Sequence, residues 1–160
     1  MKEEKKALRR ELIAARRQMP ETERIENDRA IAELFLSLPE YKKADILLLY
    51  ASYGEEIDTK KIAEVAELDG KRLAFPLCGK EGTMTFHFCR PDELSAGYKG
   101  IPEPPATSPH YGGERAHCIV PALAIDKKRL PHRLRRRLLR QISKKIQWRD
   151  RWFCSRWFLL

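Results

Sequence analysis

Hydrophobic positions in the first forty residues recur at helical spacing. The first segment is rich in Ala, Leu, Glu, Lys and Arg, which predicts a helix over residues 2–18. Its shared apolar face is formed by Leu8, Leu12 and Ala15. Pro20 interrupts the pattern, and a second helix is predicted over residues 21–38, ended by Pro39.

The hydrophobic period changes after residue 44. Residues 45–50 contain a short continuous apolar run after Asp45, which is typical of a strand buried on both faces of a parallel sheet. A helix follows, capped by Asp58 or Thr59 and continuing through Leu68. Further strands are predicted at residues 72–75 (ended by Pro76), 84–88 and 118–120. This alternation predicts an α/β fold, a three-layer Rossmann-like domain with a mostly parallel sheet.

Proline and glycine are concentrated between residues 91 and 114, which predicts a loop there. Such a stretch is more often a linker or surface loop than a binding site. In open α/β sheets, however, loops beyond the strand ends are where ligands bind.

Charge divides the chain into two parts. Residues 127–160 contain 13 Lys and Arg and one acidic residue, whereas residues 1–126 contain 19 basic and 22 acidic residues. The net charge of +9 therefore belongs to the C-terminal segment, which also holds all three tryptophans, Trp148, Trp152 and Trp157. We predict an α/β domain over residues 1–126 and a separate basic tail over residues 127–160.

Neither a targeting segment nor a metal site is predicted. The N-terminus is too charged for a signal peptide, and no apolar run could span a bilayer, so we expect a cytoplasmic protein without a membrane partner. Cysteines and histidines are scattered without the clustered spacing of zinc ligands, so we expect reduced thiols and no structural metal. These residues are Cys78, Cys89, Cys118, Cys154, His87, His110, His117 and His132.

Two sets of charged residues are candidates for chemistry. Lys5 and Arg9 are four residues apart, so a helix would present both cations on one face, where phosphates could bind. A solvated helix surface explains the same spacing. Glu56 follows the predicted buried strand, where a carboxylate could accept hydrogen bonds from an amino-pyrimidine ring or from a substrate amide N–H. Stabilisation of a helix N-terminus by acidic residues explains it equally well.

Six motifs in one order identify a resemblance. They are Lys5-Lys6-Ala7-Leu8-Arg9, Glu56-Ile57-Asp58-Thr59, Gly70-Lys71-Arg72-Leu73-Ala74-Phe75-Pro76, Met84-Thr85-Phe86, Gly100-Ile101-Pro102-Glu103-Pro104 and Val120-Pro121-Ala122-Leu123-Ala124-Ile125-Asp126. Together they resemble the 5-formyltetrahydrofolate cyclo-ligase family, also called methenyltetrahydrofolate synthetase. The resemblance covers residues 5–126.

The resemblance implies ATP-dependent conversion of 5-formyltetrahydrofolate to 5,10-methenyltetrahydrofolate, a ligase reaction of folate one-carbon metabolism, with ATP and Mg²⁺ as cofactors. It places Lys5, Lys6, Ala7, Leu8 and Arg9 at the ATP site. It places Ala51 and Glu56 in the folate pocket, and the loop from Gly100 to Pro104 near the bound folate. No catalytic side chain is identified. We expect a monomer whose partner is a small folate.

The resemblance fails after residue 126. The family carries R-(L/I)-G-x-G-x-G-Y-Y-D there, with glycines that admit phosphates and an Asp that helps to hold magnesium. Residues 129–143 instead read RLPHRLRRRLLRQIS, the magnesium-binding Asp is not found, and no glycine follows Gly113. The α/β domain is therefore predicted to be incomplete at its C-terminal side.

A one-base change of reading frame explains this segment. Suppose that its leucines are encoded by CTA and its arginines by CGG, except CGA at Arg140, and that Pro131, His132, Gln141, Ile142 and Ser143 are encoded by CCG, CAT, CAG, ATT and TCT. Shifting the frame by one base then gives Gly-Tyr-Arg-Ile-Gly-Tyr-Gly-Gly-Gly-Tyr-Tyr-Asp-Arg-Phe-Leu. That string contains the missing family loop. Our hypothesis is a frameshift between residues 126 and 129, biological or introduced in sequencing, that impairs the enzyme.

Two other interpretations remain open at the level of sequence. The basic, tryptophan-containing tail could bind a nucleic acid or an anionic surface, although this composition is a weak signature and we expect no specific nucleic-acid partner. Alternatively, the chain could be a non-catalytic remnant that binds folate without turning over ATP.

Overall fold

The computed structural model describes residues 2–79 and 83–122. Its helices are α1 (Lys2–Gln18), α2 (Glu21–Ser37), α3 (Pro39–Lys42) and α4 (Lys60–Leu68). The three longer helices confirm the predictions from hydrophobic spacing to within about two residues, the usual scatter of helix ends. Helix α2 ends just before Pro39, as predicted, with Leu38 as its C-cap. The short helix α3 was not predicted; Pro39 begins it, because proline fits the first turn of a helix.

The strands are β1 (Ile46–Leu48), β2 (Arg72–Cys78), β3 (Met84–Phe88), β4 (Ser95–Ala96), β5 (Pro102–Glu103) and β6 (His117–Cys118). Four of them form one sheet in the order β3-β2-β1-β6. Strand β1 is parallel to both β2 and β6, and only β3 is antiparallel to its neighbour. The predicted α/β class with a mostly parallel sheet is therefore confirmed.

The prediction that Pro76 ends the second strand was wrong. Strand β2 continues to Cys78, and Pro76 pairs with Phe86 of β3. Backbone bonds frame this pair of strands: Cys89 N–H donates to the carbonyl of Leu73, and Gly79 N–H donates to the carbonyl of Thr83. Odd-numbered residues of β2 therefore bond toward β3, and the nitrogen of Pro76 faces the β1 side. The last pairing of β1 with β2 is at Ala74, and no ladder bond is lost at Pro76.

The segment predicted as a loop over residues 91–114 contains regular structure. Strands β4 and β5 form a two-stranded antiparallel sheet, with Ser95 opposite Glu103. Gly97 N–H donates to the carbonyl of Ile101 and closes the turn between them (2.8 Å). Two-residue strands lie below the length at which hydrophobic alternation is visible in a sequence.

The two faces of the sheet are covered differently within the described residues. Helices α2 and α4 pack on one face, and their core includes Phe35, Leu47 and Phe75. On the other face, Leu48 and Phe86 pack with Tyr111, which belongs to the loop before β6. The third layer of the predicted three-layer arrangement stays a prediction.

Several sequence predictions concern residues 123–160, outside the described range. They include the domain boundary at residue 126, the arginine-rich segment over residues 129–143 and the proposed role of the tail tryptophans. Among the helices that the structure describes, none combines the length and hydrophobicity needed to cross a membrane.

Candidate active site

The candidate site lies at the edge of the sheet where the parallel strands end, here called the carboxyl edge. Strands β1 and β6 are neighbours, and Ile119 N–H donates to the carbonyl of Leu48 (2.8 Å). The loop after β1 (residues 49–59) and the segment after β6 (residues 119–122) therefore leave the sheet side by side. Adjacent loops at this edge form the usual ligand crevice of open α/β sheets.

The loop over residues 49–59 is held by its own side chains. The hydroxyl of Tyr50 donates to the carbonyl of Ile57 (3.0 Å), and Thr59 Oγ1 donates to the carbonyl of Tyr50 (2.8 Å). Burial, followed by the charge of Glu56, raises the pKa of Tyr50 well above its usual value, so this phenol stays protonated and can donate. Asp58 accepts from Ser52 Oγ (3.0 Å) and from the first amide of α4.

Both predicted folate residues, Ala51 and Glu56, lie in this loop and are half-buried. Glu56 Oε2 accepts a hydrogen bond from Tyr53 N–H (3.1 Å), which fixes the carboxylate at the tip of the loop. A carboxylate is an acceptor only, so in this position it suits a ligand that offers N–H donors.

The motif from Gly100 to Pro104 forms a second wall beside this loop. Gly100 adopts φ +77°, and a Cβ added to it would lie 3.4 Å from Tyr53 Oη. The two walls therefore touch at Tyr53 and Gly100. Strand β5 and its turn bring the motif to the end of β2, because Glu103 bonds to Cys78 there.

Glu103 holds the second wall in place. It is only 7% exposed. Its Oε1 accepts from Cys78 N–H (3.1 Å) and its Oε2 from Tyr98 N–H (3.2 Å). One buried carboxylate thus joins the end of β2 to both ends of the β4–β5 turn. The residue belongs to the Gly100–Pro104 motif of the sequence, which carries no signal of this structural role.

Replacing Gly97 by alanine should disturb this clamp. The added Cβ would lie 2.2 Å from Glu103 Oε2 and 2.8 Å from Glu103 Cγ, and the buried carboxylate has little room to move. We expect a loss of about 1–3 kcal/mol in the free energy of unfolding, the range for overpacked sites. Urea denaturation would measure it. Gly112→Ala is the control, since its Cβ would meet Glu114 at an ordinary 3.5 Å; equal losses from the two substitutions would contradict the prediction.

The predicted ATP residues lie in the first half of α1, which confirms the helical spacing of Lys5 and Arg9. Within the described side chains, Lys6 and Arg9 are exposed, while Ala7 and Leu8 are half-buried. The other end of α1 reaches the carboxyl edge, where Arg17 Nε bonds to Glu55 Oε1 (2.6 Å). The exposed Lys6 and Arg9 therefore lie toward the end of α1 away from this contact, and the assignment of residues 5–9 to an ATP site stays a prediction.

Arg16 also reaches the carboxyl edge and was not predicted as a site residue. Its guanidinium donates to the carbonyls of Glu55 (2.9 Å) and Ala122 (3.2 Å). Arginine is abundant in α1, and the sequence carries no signal that separates this buried one from its exposed neighbours. Only the docking of the helix distinguishes them.

Metal ligands are not clustered in the part of the chain that the structure describes. No group of three or more His, Cys, Asp and Glu side chains there could hold an ion. The described cysteines, Cys78, Cys89 and Cys118, are half-buried. Burial raises the pKa of Cys89 to about 11 and that of Cys118 to about 12, so both thiols are neutral near pH 7.

The chain is similar to known proteins in both sequence and fold. The model of the 5-formyltetrahydrofolate cyclo-ligase family matches residues 1–134, past the predicted boundary at residue 126. The NMR structure of Aquifex aeolicus 5,10-methenyltetrahydrofolate synthetase is similar with a TM-score of 0.75 and 25% identity, over 89% of this chain and 73% of that one.

A second solved structure shares the fold. The 5,10-methenyltetrahydrofolate synthetase from Mycoplasma pneumoniae has a TM-score of 0.68 at 12% identity, over 88% of this chain and 77% of that one. A comparison with curated proteins gives no match. Because the family model covers most of its length, the chain belongs to the 5-formyltetrahydrofolate cyclo-ligase family.

Proposed function

We propose that this protein derives from an enzyme that converts 5-formyltetrahydrofolate to 5,10-methenyltetrahydrofolate with ATP, and that the present chain binds the folate but turns it over poorly. The family match is the observation that carries the first part. The arginine-rich sequence in place of the glycine-rich loop supports the second.

The folate would bind between the two walls at the carboxyl edge. The amino-pyrimidine ring of a folate offers two neighbouring N–H donors, which one carboxylate can accept together. Glu56 is the acceptor in this proposal, and its bond from Tyr53 N–H orients it. Ala51 would line the pocket with a small apolar surface, and the wall from Gly100 to Pro104 would close the opposite side.

The nucleotide would lie on the side of α1 and β6. ATP, when bound, supplies the phosphoryl group that turns the formyl oxygen into a leaving group, so that N10 can close the ring. Lys5, Lys6, Ala7, Leu8 and Arg9 would contribute the α1 side of this site. The three cations among them would position and neutralise phosphates, which is most of what catalysis of phosphoryl transfer requires. Mg²⁺ enters the proposal only as the partner of the ATP phosphates.

The remaining side of the nucleotide site is where the impairment arises. Phosphates approach a glycine-rich backbone closely because no Cβ intervenes, and residues 129–140 contain no glycine. A frameshift between residues 126 and 129 accounts for this loss and for the sudden change in charge. The proposal includes a cytoplasmic monomer without a specific nucleic-acid or membrane partner, supported by the acidic balance of residues 1–126.

Binding of 5-formyltetrahydrofolate to the unaltered chain tests the proposal. We expect binding that isothermal titration calorimetry can measure and that Glu56→Gln weakens about 10–100-fold, because glutamine loses one charged acceptor and sets an NH₂ group against a ring N–H. Glu55→Gln is the matched control: the neighbouring carboxylate pairs with Arg17 at the surface. No binding by the unaltered chain, or equal effects of the two substitutions, would contradict the proposal.

A further inference from the structure

Arg16 joins two segments of the carboxyl edge that are far apart in sequence. It is only 7% exposed, although most of α1 is open to solvent. Its Nη1 donates to the carbonyl of Glu55 (2.9 Å) and its Nη2 to the carbonyl of Ala122 (3.2 Å). Glu55 lies in the loop after β1 and Ala122 in the segment after β6, so one side chain connects both.

The bridge requires the shape of arginine. A guanidinium is a rigid planar fork whose nitrogens can donate in different directions at once, whereas the ammonium of lysine is a single point. Asp28 of α2 lies nearby and contributes negative charge to this buried position. Burial raises the pKa of Asp28, and the positive charge of Arg16 is among the nearby charges that act against that rise.

The two carbonyls that Arg16 contacts lie on backbone segments that border the proposed site. The carbonyl of Glu55 belongs to the same peptide unit as the amide of Glu56, so Arg16 fixes the backbone that carries the proposed folate anchor. The carbonyl of Ala122 lies in the segment that leads from β6 toward the nucleotide side of the proposed site. Arg17, by contrast, bonds to the side chain of Glu55 and remains exposed.

We propose that Arg16 is a positioning residue that couples the folate loop to the segment after β6, so that ordering one by folate orders the other. The inference rests on the proposed function, because it assumes that folate binds at Glu56. Arg16 touches neither reactant in this role. It transmits the position of the Glu55–Glu56 peptide to residues 119–122.

Hydrogen exchange in the full chain, with and without 5-formyltetrahydrofolate, tests the coupling. In the unaltered protein, saturating folate should slow amide exchange about fivefold or more in residues 53–58 and also in residues 119–122. In Arg16→Lys, saturating folate should still protect residues 53–58 but no longer residues 119–122, and the Kd should rise about tenfold. Arg17→Gln is the control and should keep both protected regions.

The possible results separate this inference from the proposed function. If folate protects residues 53–58 of the unaltered chain but not residues 119–122, or if Arg16→Lys keeps the protection at residues 119–122, the coupling is disproved and folate binding stands. If folate protects neither region of the unaltered chain, the proposed function fails and the inference fails with it. Thermal melting shows whether Arg16→Lys is folded; if it is not, Arg16→Gln takes its place in the exchange experiment. The unaltered chain tests the coupling even if neither variant folds.

Discussion

Replacing Glu103 by alanine is expected to lower the free energy of unfolding by about 3 kcal/mol, because two part-buried backbone donors lose a buried acceptor, at about 1–3 kcal/mol each. The donors are Cys78 N–H at the end of β2 and Tyr98 N–H in the β4–β5 turn. For a protein of this size, the melting temperature should fall by about 10 °C. Urea denaturation and thermal melting followed by circular dichroism would measure both effects.

Glu93→Ala is the matched control for this prediction. Glu93 is exposed, and its carboxylate also accepts a backbone hydrogen bond, from Arg90 N–H (2.6 Å). Water can replace that acceptor, so the loss should stay below about 1 kcal/mol. Glu103→Gln should lie between the two, because the amide keeps one acceptor oxygen. Equal stability of the Glu103→Ala and Glu93→Ala variants would show that solvent reaches the donors and that Glu103 is not a clamp.

The contrast between Glu103 and Glu56 shows what a sequence can predict of this site. Both lie in motifs shared with one family, and the motif alone makes both candidates. Glu56 follows a strongly hydrophobic strand, so its place at the carboxyl edge follows from the pattern. The burial of Glu103 depends on a two-residue strand and on a turn that folds back on β2. No local pattern encodes that contact.

Hydrophobic patterns predicted the sheet better than its connections. The continuous apolar run at residues 45–50 contains strand β1, whose residues are buried on both faces. Pro76 was misinterpreted because the effect of a proline depends on which neighbour its nitrogen faces, and that is fixed by the pairing of three strands. Arg16 was missed for a similar reason. It is buried because α1 docks at the carboxyl edge, and the neighbouring residues of α1 do not predict that docking.

Restoring the reading frame between residues 126 and 129 is expected to raise the rate of methenyltetrahydrofolate formation about a thousandfold or more, since a single lost hydrogen-bond donor at a site of developing charge can cost about 100–1,000-fold. The restored chain would carry the string Gly-Tyr-Arg-Ile-Gly-Tyr-Gly-Gly-Gly-Tyr-Tyr-Asp in place of the arginine-rich segment. Absorbance of the methenyl product, with 5-formyltetrahydrofolate, ATP and Mg²⁺ supplied, would measure the rate.

The control for this experiment separates the backbone of the loop from the rest of the restored segment. A restored chain whose loop glycines are changed to alanine keeps the downstream sequence but places a Cβ at each point where phosphate must approach the backbone. We expect it to bind folate like the restored chain and to lose most of the gained rate. Equal rates from the unaltered and restored chains would refute the impairment, and so would a DNA sequence whose codons in the other frame do not encode the glycine-rich loop. A fast alanine variant would instead show that close approach to bare backbone is unnecessary for this phosphoryl transfer.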